Sequence, residues 1–310
     1  MIEVVRYRPS MADQWNAHLA SARNGHFFFN RGYLDYHAGR FLDHSVMVLQ
    51  GKRVLAAFPA NRVDDVIYSH QGLTFGGLIV GDLGGERVLQ ALDAVCGALR
   101  ADGVRHLVYK AIPGIFHRQP AQEDLYALHR AGARLLRREL SSALATKFPH
   151  KYTKGKLENL RRAASAGLAH GRESEVGPFM ALLERTLDAR HELRPVHSEL
   201  EMRLLFERFP ENIRVYGARR EGRLCAGALV FLNPMAAHTQ YLANSEEGRE
   251  IGALDFLIDR LLRDELAPWP WLSFGISSTD QGQALNPGLL HHKEAFGARG
   301  IVHDTYALDL

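Results

Sequence analysis

Between Ser45 and Ile112 the spacing of apolar residues changes character twice. "SVMVLQ" and "VLAAFPANR" are dense apolar runs separated by "GKR", which predicts strand, tight turn, strand, with Gly51 supplying the turn. A third apolar run, "DVIYSHQGLTFGGLIV", precedes a glycine-bearing loop. "ERVLQALDAVCGALRADG" then places its apolar residues at helical spacing, and "RHLVYKAI" returns to strand character. The same order recurs in the second half: "NIRVYGAR", turn "REGR", "LCAGALVFL", "AAHTQYLAN", loop "SEEGRE", helix "IGALDFLIDRLLRDEL" and strand "WLSFGIS". Corresponding pieces are offset by roughly 160 to 170 residues. A helical stretch precedes each copy, "MADQWNAHLASA" in the first and "PFMALLERTLDARHEL" in the second.

An α-β-β-β-α-β order predicts an α/β (α+β) protein of two tandem units, each a mixed, mainly antiparallel sheet flanked by helices. The helix between the third and fourth strands is a crossover, so those two strands are expected to be parallel. Residues from about 40 to 112 and 212 to 277 are expected to superpose. The expected division is 1–146, a basic helical connector 147–171, and 172–310. The last run, "VHDTYALDL", alternates in strand fashion and is expected to join one of the two sheets.

Composition narrows the class. A chain of 310 residues, 46% hydrophobic and 24% charged, has globular proportions and room for two cores. No apolar run approaches the ~18 to 20 residues that span a bilayer. "MIEVVRYRPS" lacks the apolar core of a signal peptide, so the expected location is cytoplasmic. Cys96 and Cys225 read as small buried apolar residues. A formal net charge of +3 does not by itself indicate a nucleic-acid binder. "KFPHKYTKGKLENLRRAASAGLAHGR" contains one acidic residue, Glu158, and reads either as a solvated helix face or as a landing site for phosphates.

Two stretches carry a family likeness. "KGKLENLRRAASAGL" is similar to the basic segment R-x-N-(I/L)-R-(K/R)-A-x-x-x-G of the Fem transferases, through Asn159, Leu160, Arg161, Arg162, Ala163 and Gly167. "FGISSTDQGQALNPGLLHHKEAFG" resembles that family's F-x-G-I … G-L-x-x-F-K-x-x-F-G, through Gly275, Ile276, Gly288, Leu289, Lys293, Phe296 and Gly297. In two places the chain departs from the pattern: Phe274 directly precedes Gly275, and His292 replaces the phenylalanine before the lysine. The chain therefore resembles Fem-like (FemABX-type) transferases of the GNAT acyltransferase superfamily.

The resemblance implies an N-acyltransferase that moves an acyl group from an activated donor to an amine of a sugar-nucleotide, cell-wall or surface-polysaccharide precursor. Acyl-CoA is the expected donor, with aminoacyl-tRNA as the alternative and no metal. Partners would be a small-molecule acceptor amine, a nucleotide-linked one included, or tRNA. A catalytically lapsed glycan- or RNA-binding module is the reading outside enzymes. By the likeness, Lys293 stabilises the negative charge that develops on the acyl oxygen. Adjacent His291 and His292 make a poor zinc pair, with no Cys-x-x-Cys or His-Glu-x-x-His beside them.

"AAHTQYLAN" occupies the strand that binds the acyl donor in the GNAT fold. Period-two alternation puts His238 and Gln240 on one face, Thr239 and Tyr241 on the other. His238 can accept the proton leaving the amine, and Tyr241 can donate to the leaving group. "GREIGALDF" partly matches the GNAT pyrophosphate pattern (R/Q)-x-x-G-x-(G/A) through Arg249 and Gly252, with Leu254 where a small residue belongs. Lys154 and Arg161 join them as cofactor-binding candidates. In the first unit, Ser69, His70, Gln71 and Thr74 crowd polar groups beside Gly76 and Gly77, which suits a sugar or peptide acceptor. Ser198 in "RPVHSEL" is the expected N-cap of a following helix, with His197 just before it.

Overall fold

The computed structural model describes residues 2–148, 150–191 and 194–310. The chain forms two compact units: Met1–Leu140 with Thr279–Ala284 and Val302–Leu310, and Ser141–Ser278 with Leu285–Ile301. The first contains β1 (Glu3–Arg6), α1 (Ala12–Ser21), α2 (Arg31–Leu34), β2 (Leu42–Asp43), β3 (Val46–Gln50), β4 (Arg53–Phe58), β5 (Asn61–Val63), β6 (Val66–Tyr68), β7 (Ile79–Val80), α3 (Gly85–Ala101), β8 (His106–Lys110) and α4 (Glu123–Arg130). β9 (Arg134–Ala145) leads into the second unit. There follow α5 (Lys154–Ala164), β10 (Ala169–Glu173), α6 (Gly177–His191), α7 (Glu199–Arg208), β11 (Ile213–Arg220), β12 (Arg223–Leu232) and β13 (Ala236–Asn244). Next are α8 (Glu246–Ile251), α9 (Ala253–Arg260), β14 (Trp271–Ile276), the ribbon β15 (Ser278–Thr279) and β16 (Ala284–Leu285), and α10 (Pro287–Glu294). β17 (Arg299–Asp309) returns to the first unit.

The pairings of the second unit follow the order β10-β11-β12-β13-β14-β9. All are antiparallel except β13–β14, which is parallel across the crossover helix α9. The helix buries Ala253, Phe256, Leu257 and Ile258 in one cluster with Ala228, Val230 and Leu272. Full burial of each large aliphatic or aromatic side chain contributes about 1.5–3 kcal/mol. Leu257 has no exposed surface, so a charge there would unfold the unit. Cys225 packs in this same core and Cys96 in that of the first unit, both as free thiols.

The first unit repeats the succession of pairings. β2–β5 and β5–β6 are antiparallel, β6–β8 is parallel across α3, and β17–β8 is antiparallel. The last strand thus joins the first unit's sheet. α3 buries Val88, Ala91, Leu92, Val95 and Leu99, the spacing of one helical face. Three features differ from the sequence expectation. The first unit's strands lie in two sheets, not one: β1-β3-β4-β7 form the first, and "VLAAFPANR" breaks at Pro59 so that β5 belongs to the second. The third apolar run is not one strand: it ends at Tyr68, turns through His70 (φ 67°) and Gly77 (φ 94°), and restarts as β7 against β4. The basic segment 147–171 is helical only over Lys154–Ala164 and lies in the second unit. Gly167 (φ 66°) ends that helical path, and from Ala169 the chain pairs with β11. In "PFMALLERTLDARHEL", Glu192 and Leu193 lie outside the described residues.

Candidate active site

The site begins where two parallel strands part. β13 and β14 pair only from Ala236↔Trp271 to His238↔Ser273, although β13 continues to Asn244 and β14 to Ile276. Both strands are bulged at that point. Leu229 pairs with Tyr241 and Val230 with Thr239, which leaves Gln240 as the extra residue of β13. In β14 the register against β9 shifts at Phe274. Cross-strand partners share a face, so His238 (opposite Phe231) and Tyr241 (opposite Leu229) point the same way. This corrects the simple alternation, which separated them, because one inserted residue flips every side chain after it. Gly227 lies on that face too, and a Cβ there would meet Phe179 of α6 at 2.5 Å.

At the parting point His238 Nδ1 lies 3.0 Å from Ser273 Oγ, and Thr239 Oγ1 donates to Ser273 O at 3.3 Å. Gly275 (φ 75°) follows, and a Cβ there would stand 3.3 Å from His238 Cε1. Its carbonyl accepts from Lys293 Nζ at 2.8 Å, with Ile276 O at 2.6 Å and Ser277 Oγ at 2.8 Å. Lys293 is 3% exposed, and burial pushes its pKa down to about 8. The structure thus brings His238 and Lys293 together at Gly275. All three ammonium protons of Lys293 already have oxygen acceptors. Opposite Gly275 and Ile276, Ser142 and Ser141 are fully buried, and their hydroxyls have no hydrogen-bond partner among the described residues.

α10 exists to hold this corner. Asn286 caps it by accepting from Leu289 N at 3.0 Å, while its own N–H donates to Ser277 O at 2.8 Å. Phe296 is buried and stacks on Phe274 at 6.0 Å. Gly297 (φ 92°) makes the turn, where a Cβ would meet His150 Cβ at 2.8 Å. The sequence offered no helix here, because the two histidines and lysine obscure any apolar period.

Sequence reasoning missed a buried polar network beneath the site. Lys156, 8% exposed, donates to Asp255 Oδ1 at 2.6 Å, sits 3.1 Å from His292 Nδ1, and lies 4.2 Å from the Phe296 ring centre. Asn159 Nδ2 donates to Asp255 Oδ2 at 2.6 Å. Burial first, then the Lys156 charge, drives the His292 pKa down to about 4, so His292 is neutral at pH 7. Tyr152 donates to Asp259 Oδ1 at 3.0 Å. Lys156 and Asn159 therefore anchor α5 to the acidic side of α9.

The remaining candidates are dispersed. Lys154 and Arg161 are exposed on α5; Lys154 faces Glu158 at 3.9 Å. Gly252 (φ 75°) joins α8 to α9, and a Cβ there would stand 2.7 Å from Asn159 O. α5 thus covers the junction that the pyrophosphate pattern pointed to, and Arg162 closes it further by donating to Glu250 O at 2.7 Å. Arg249 is exposed and donates to Asn244 O at 3.2 Å, beside a 270 Å³ pocket shared with Arg185 and Ser245. In the first unit, Ser69 Oγ accepts from Lys110 N at 2.7 Å and Gln71 pairs with Asn61. His70 is buried against His37 and Phe41, and burial takes its pKa down to about 3. Thr74 is exposed. His197, placed before the capping box of Ser198 and Glu201, lies with its Nδ1 2.7 Å from Tyr241 Oη. Among the described residues no group of three or more His, Cys, Asp or Glu side chains could hold a metal ion, and no helix is long and apolar enough to cross a membrane.

Residues 150–268 match the family model of the acetyltransferase (GNAT) domain. No curated protein matches the chain significantly in sequence. Among solved structures, FemX superposes with a TM-score of 0.73 at 11% identity, covering 99% of this chain and 97% of that one. A domain described as the C-terminal domain of a lysylphosphatidylglycerol synthetase from Agrobacterium fabrum gives 0.62 at 14%, covering 96% and 91%. A tandem GNAT protein from the clavulanic acid biosynthesis pathway, solved without AcCoA, gives 0.50 at 13%, covering 100% and 98%. The architecture is the GNAT acyltransferase fold, in tandem. Within that fold the chain is similar to FemX over nearly its whole length.

Proposed function

We propose that this chain is an N-acyltransferase whose second unit holds an activated acyl group where β13 and β14 part. The observation that carries this reading is the end of parallel pairing at His238↔Ser273, which frees an edge of β13 for an extended donor. An amine attacks the acyl carbonyl, a C–N bond forms, and an oxyanion develops. Lys293 lies at that corner with a hydroxyl, Ser277 Oγ, as its one acceptor that is not a carbonyl. The oxyanion displaces this hydroxyl, since a charged acceptor binds an ammonium more strongly than a neutral one. His238 takes the amine proton, and Tyr241 donates to the leaving group.

The tandem GNAT neighbour solved without AcCoA supports a thioester donor; the FemX likeness keeps aminoacyl-tRNA as the second reading. The acceptor is an amine of a sugar-nucleotide, cell-wall or surface-polysaccharide precursor. The exposed Arg249, Lys154 and Arg161 are proposed for the donor's phosphates; Gly252, buried under α5, is not. The test is product formation from an acyl-CoA panel with amino-sugar nucleotides and cell-wall amines, run beside charged tRNA. Turnover with acyl-CoA supports the reading and strict dependence on charged tRNA replaces the donor. Tight binding without turnover from either donor removes the enzyme.

A further inference from the structure

Tyr241 is a poor acid for the task just given to it. Burial, the largest influence, raises its pKa above the ordinary 10. A thiol leaves with a pKa of about 8.5, so such a phenol does not protonate the thiolate downhill unaided. It needs a group that refills its proton as it gives one up.

His197 is placed for that. Its Nδ1 is 2.7 Å from Tyr241 Oη, and its ring meets the tyrosine edge-on at 6.0 Å and 80°. It is 8% exposed, and its backbone is fixed by the capping box that follows: Ser198 N donates to Glu201 Oε2 at 2.8 Å and Glu201 N to Ser198 Oγ at 3.3 Å. The β13 bulge turns Tyr241 onto the face of His238, so the pair stands on the side where the acyl group is proposed to react.

We propose that His197 and Tyr241 form a proton relay for the leaving group. As the C–S bond breaks, its electron pair stays on sulfur and Tyr241 Oη gives its proton to that sulfur. His197, as imidazolium, passes its Nδ1 proton to Tyr241 Oη and is left neutral, to be recharged from water. No phenolate persists. This rests on the N-acyltransferase reading with a thioester donor, and deepens it.

The relay predicts that the defect depends on the leaving thiol. Single-turnover transfer is measured for wild type, His197→Ala, His197→Gln and Tyr241→Phe, each with an alkyl and an aryl thioester of the same acyl group. An aryl thiolate is a good leaving group without a proton. With the alkyl thioester, His197→Ala, His197→Gln and Tyr241→Phe should each lose about 100-fold in kcat, and His197→Ala/Tyr241→Phe no more than Tyr241→Phe alone. With the aryl thioester all should stay within about 3-fold of wild type. Equal losses on both thioesters, or additive losses in the double variant, would overturn the relay and leave His197 a packing residue. Wild type inactive on both thioesters would instead remove the acyltransferase reading and the relay with it.

Discussion

In each unit a parallel-paired strand ends beside a lysine whose charge is desolvated, half-buried Lys110 in the first and buried Lys293 in the second, and the two lysines are used differently. In the first unit Lys110 closes β8. Its Nζ donates to the carbonyls of His70, Gln71 and Leu73, at 3.1, 3.2 and 2.6 Å. Those carbonyls belong to the turn that leaves β6, and the turn also bonds directly to β8: Ser69 N to Val108 O and Gly76 N to Lys110 O. The space beside the parallel pair is filled by the chain itself. In the second unit β13 simply runs on after pairing stops, and Lys293 comes from α10 to hold the end of β14. Burial depresses both lysines to about 8. The same desolvated cation is thus a plug in one copy and stands at an open strand edge in the other. Only in the second unit does the strand continue past the parallel pairing without the chain folding back beside it.

The sharpest way to break this contrast is to remove each lysine. Lys293→Ala should lower the turnover rate by about 100- to 1000-fold, the usual cost of one oxyanion donor, with a smaller change in donor affinity. Lys110→Ala should keep kcat within about 3-fold. Each variant strands buried acceptors, so both should lose on the order of 2–3 kcal/mol in denaturant unfolding. Rates are therefore compared per folded molecule. Equal rate losses in the two variants would erase the distinction between plug and site.

A second comparison concerns buried tyrosine–aspartate pairs. In the second unit Asp259 accepts from Tyr152 and also from Arg263 at 2.8 Å. In the first, Asp124 accepts from Tyr109 at 2.5 Å and from Leu125 N at 2.8 Å, with no cation bonded to it among the described residues. Burial raises the Asp124 pKa from 3.8 to about 6. A raised acid pKa means the folded state holds the proton more tightly than the unfolded one. That stabilisation is full below the unfolded value and is lost as pH rises through the folded one. Stability should therefore fall by about 2–3 kcal/mol from near pH 4 to above pH 6 through this group. Asp124→Asn should flatten that slope, read from urea unfolding at a series of pH values. An unchanged slope would place the proton elsewhere.

How much of this was legible depends on how local the signal is. Strands β11 to β14, the crossover helices, the Gly51 turn and the Ser198 cap each write themselves within a few residues, as apolar period or a single cap. Lys293 was found only through a motif likeness. The Gln240 bulge was invisible, since "HTQYL" alternates normally until its partner strand fixes the register. The Lys156–Asp255–His292 cluster joins Lys156 to residues 99 and 136 positions away, and nothing in any of the three stretches names the others. The first unit's polar cluster looked like a binding strand because unpaired polar groups and internally bonded ones read alike. Ser69 and Gln71 are in fact bonded within their own unit.

The smallest expected effect separates the two jobs of α5. Lys156 and Arg162 are tied into the protein, by Asp255 and by the Glu250 carbonyl. Lys154 and Arg161, seven residues apart and hence on one helix face, are exposed. Exposed charges act on a ligand through screened fields worth well under about 1 kcal/mol apiece. Lys154→Ala with Arg161→Ala should weaken a phosphate-bearing donor by about 2- to 5-fold at low ionic strength. Near 0.15 M salt, where the Debye length shrinks to about 8 Å, the effect should fall toward nothing. Thermal melting should not move. Lys156→Ala should instead lower the melting temperature at any salt, because it leaves Asp255 buried and uncompensated. Isothermal titration with an acyl-CoA at two salt concentrations checks the first pair. Affinity unchanged at low salt would reduce that face of α5 to a solvated surface.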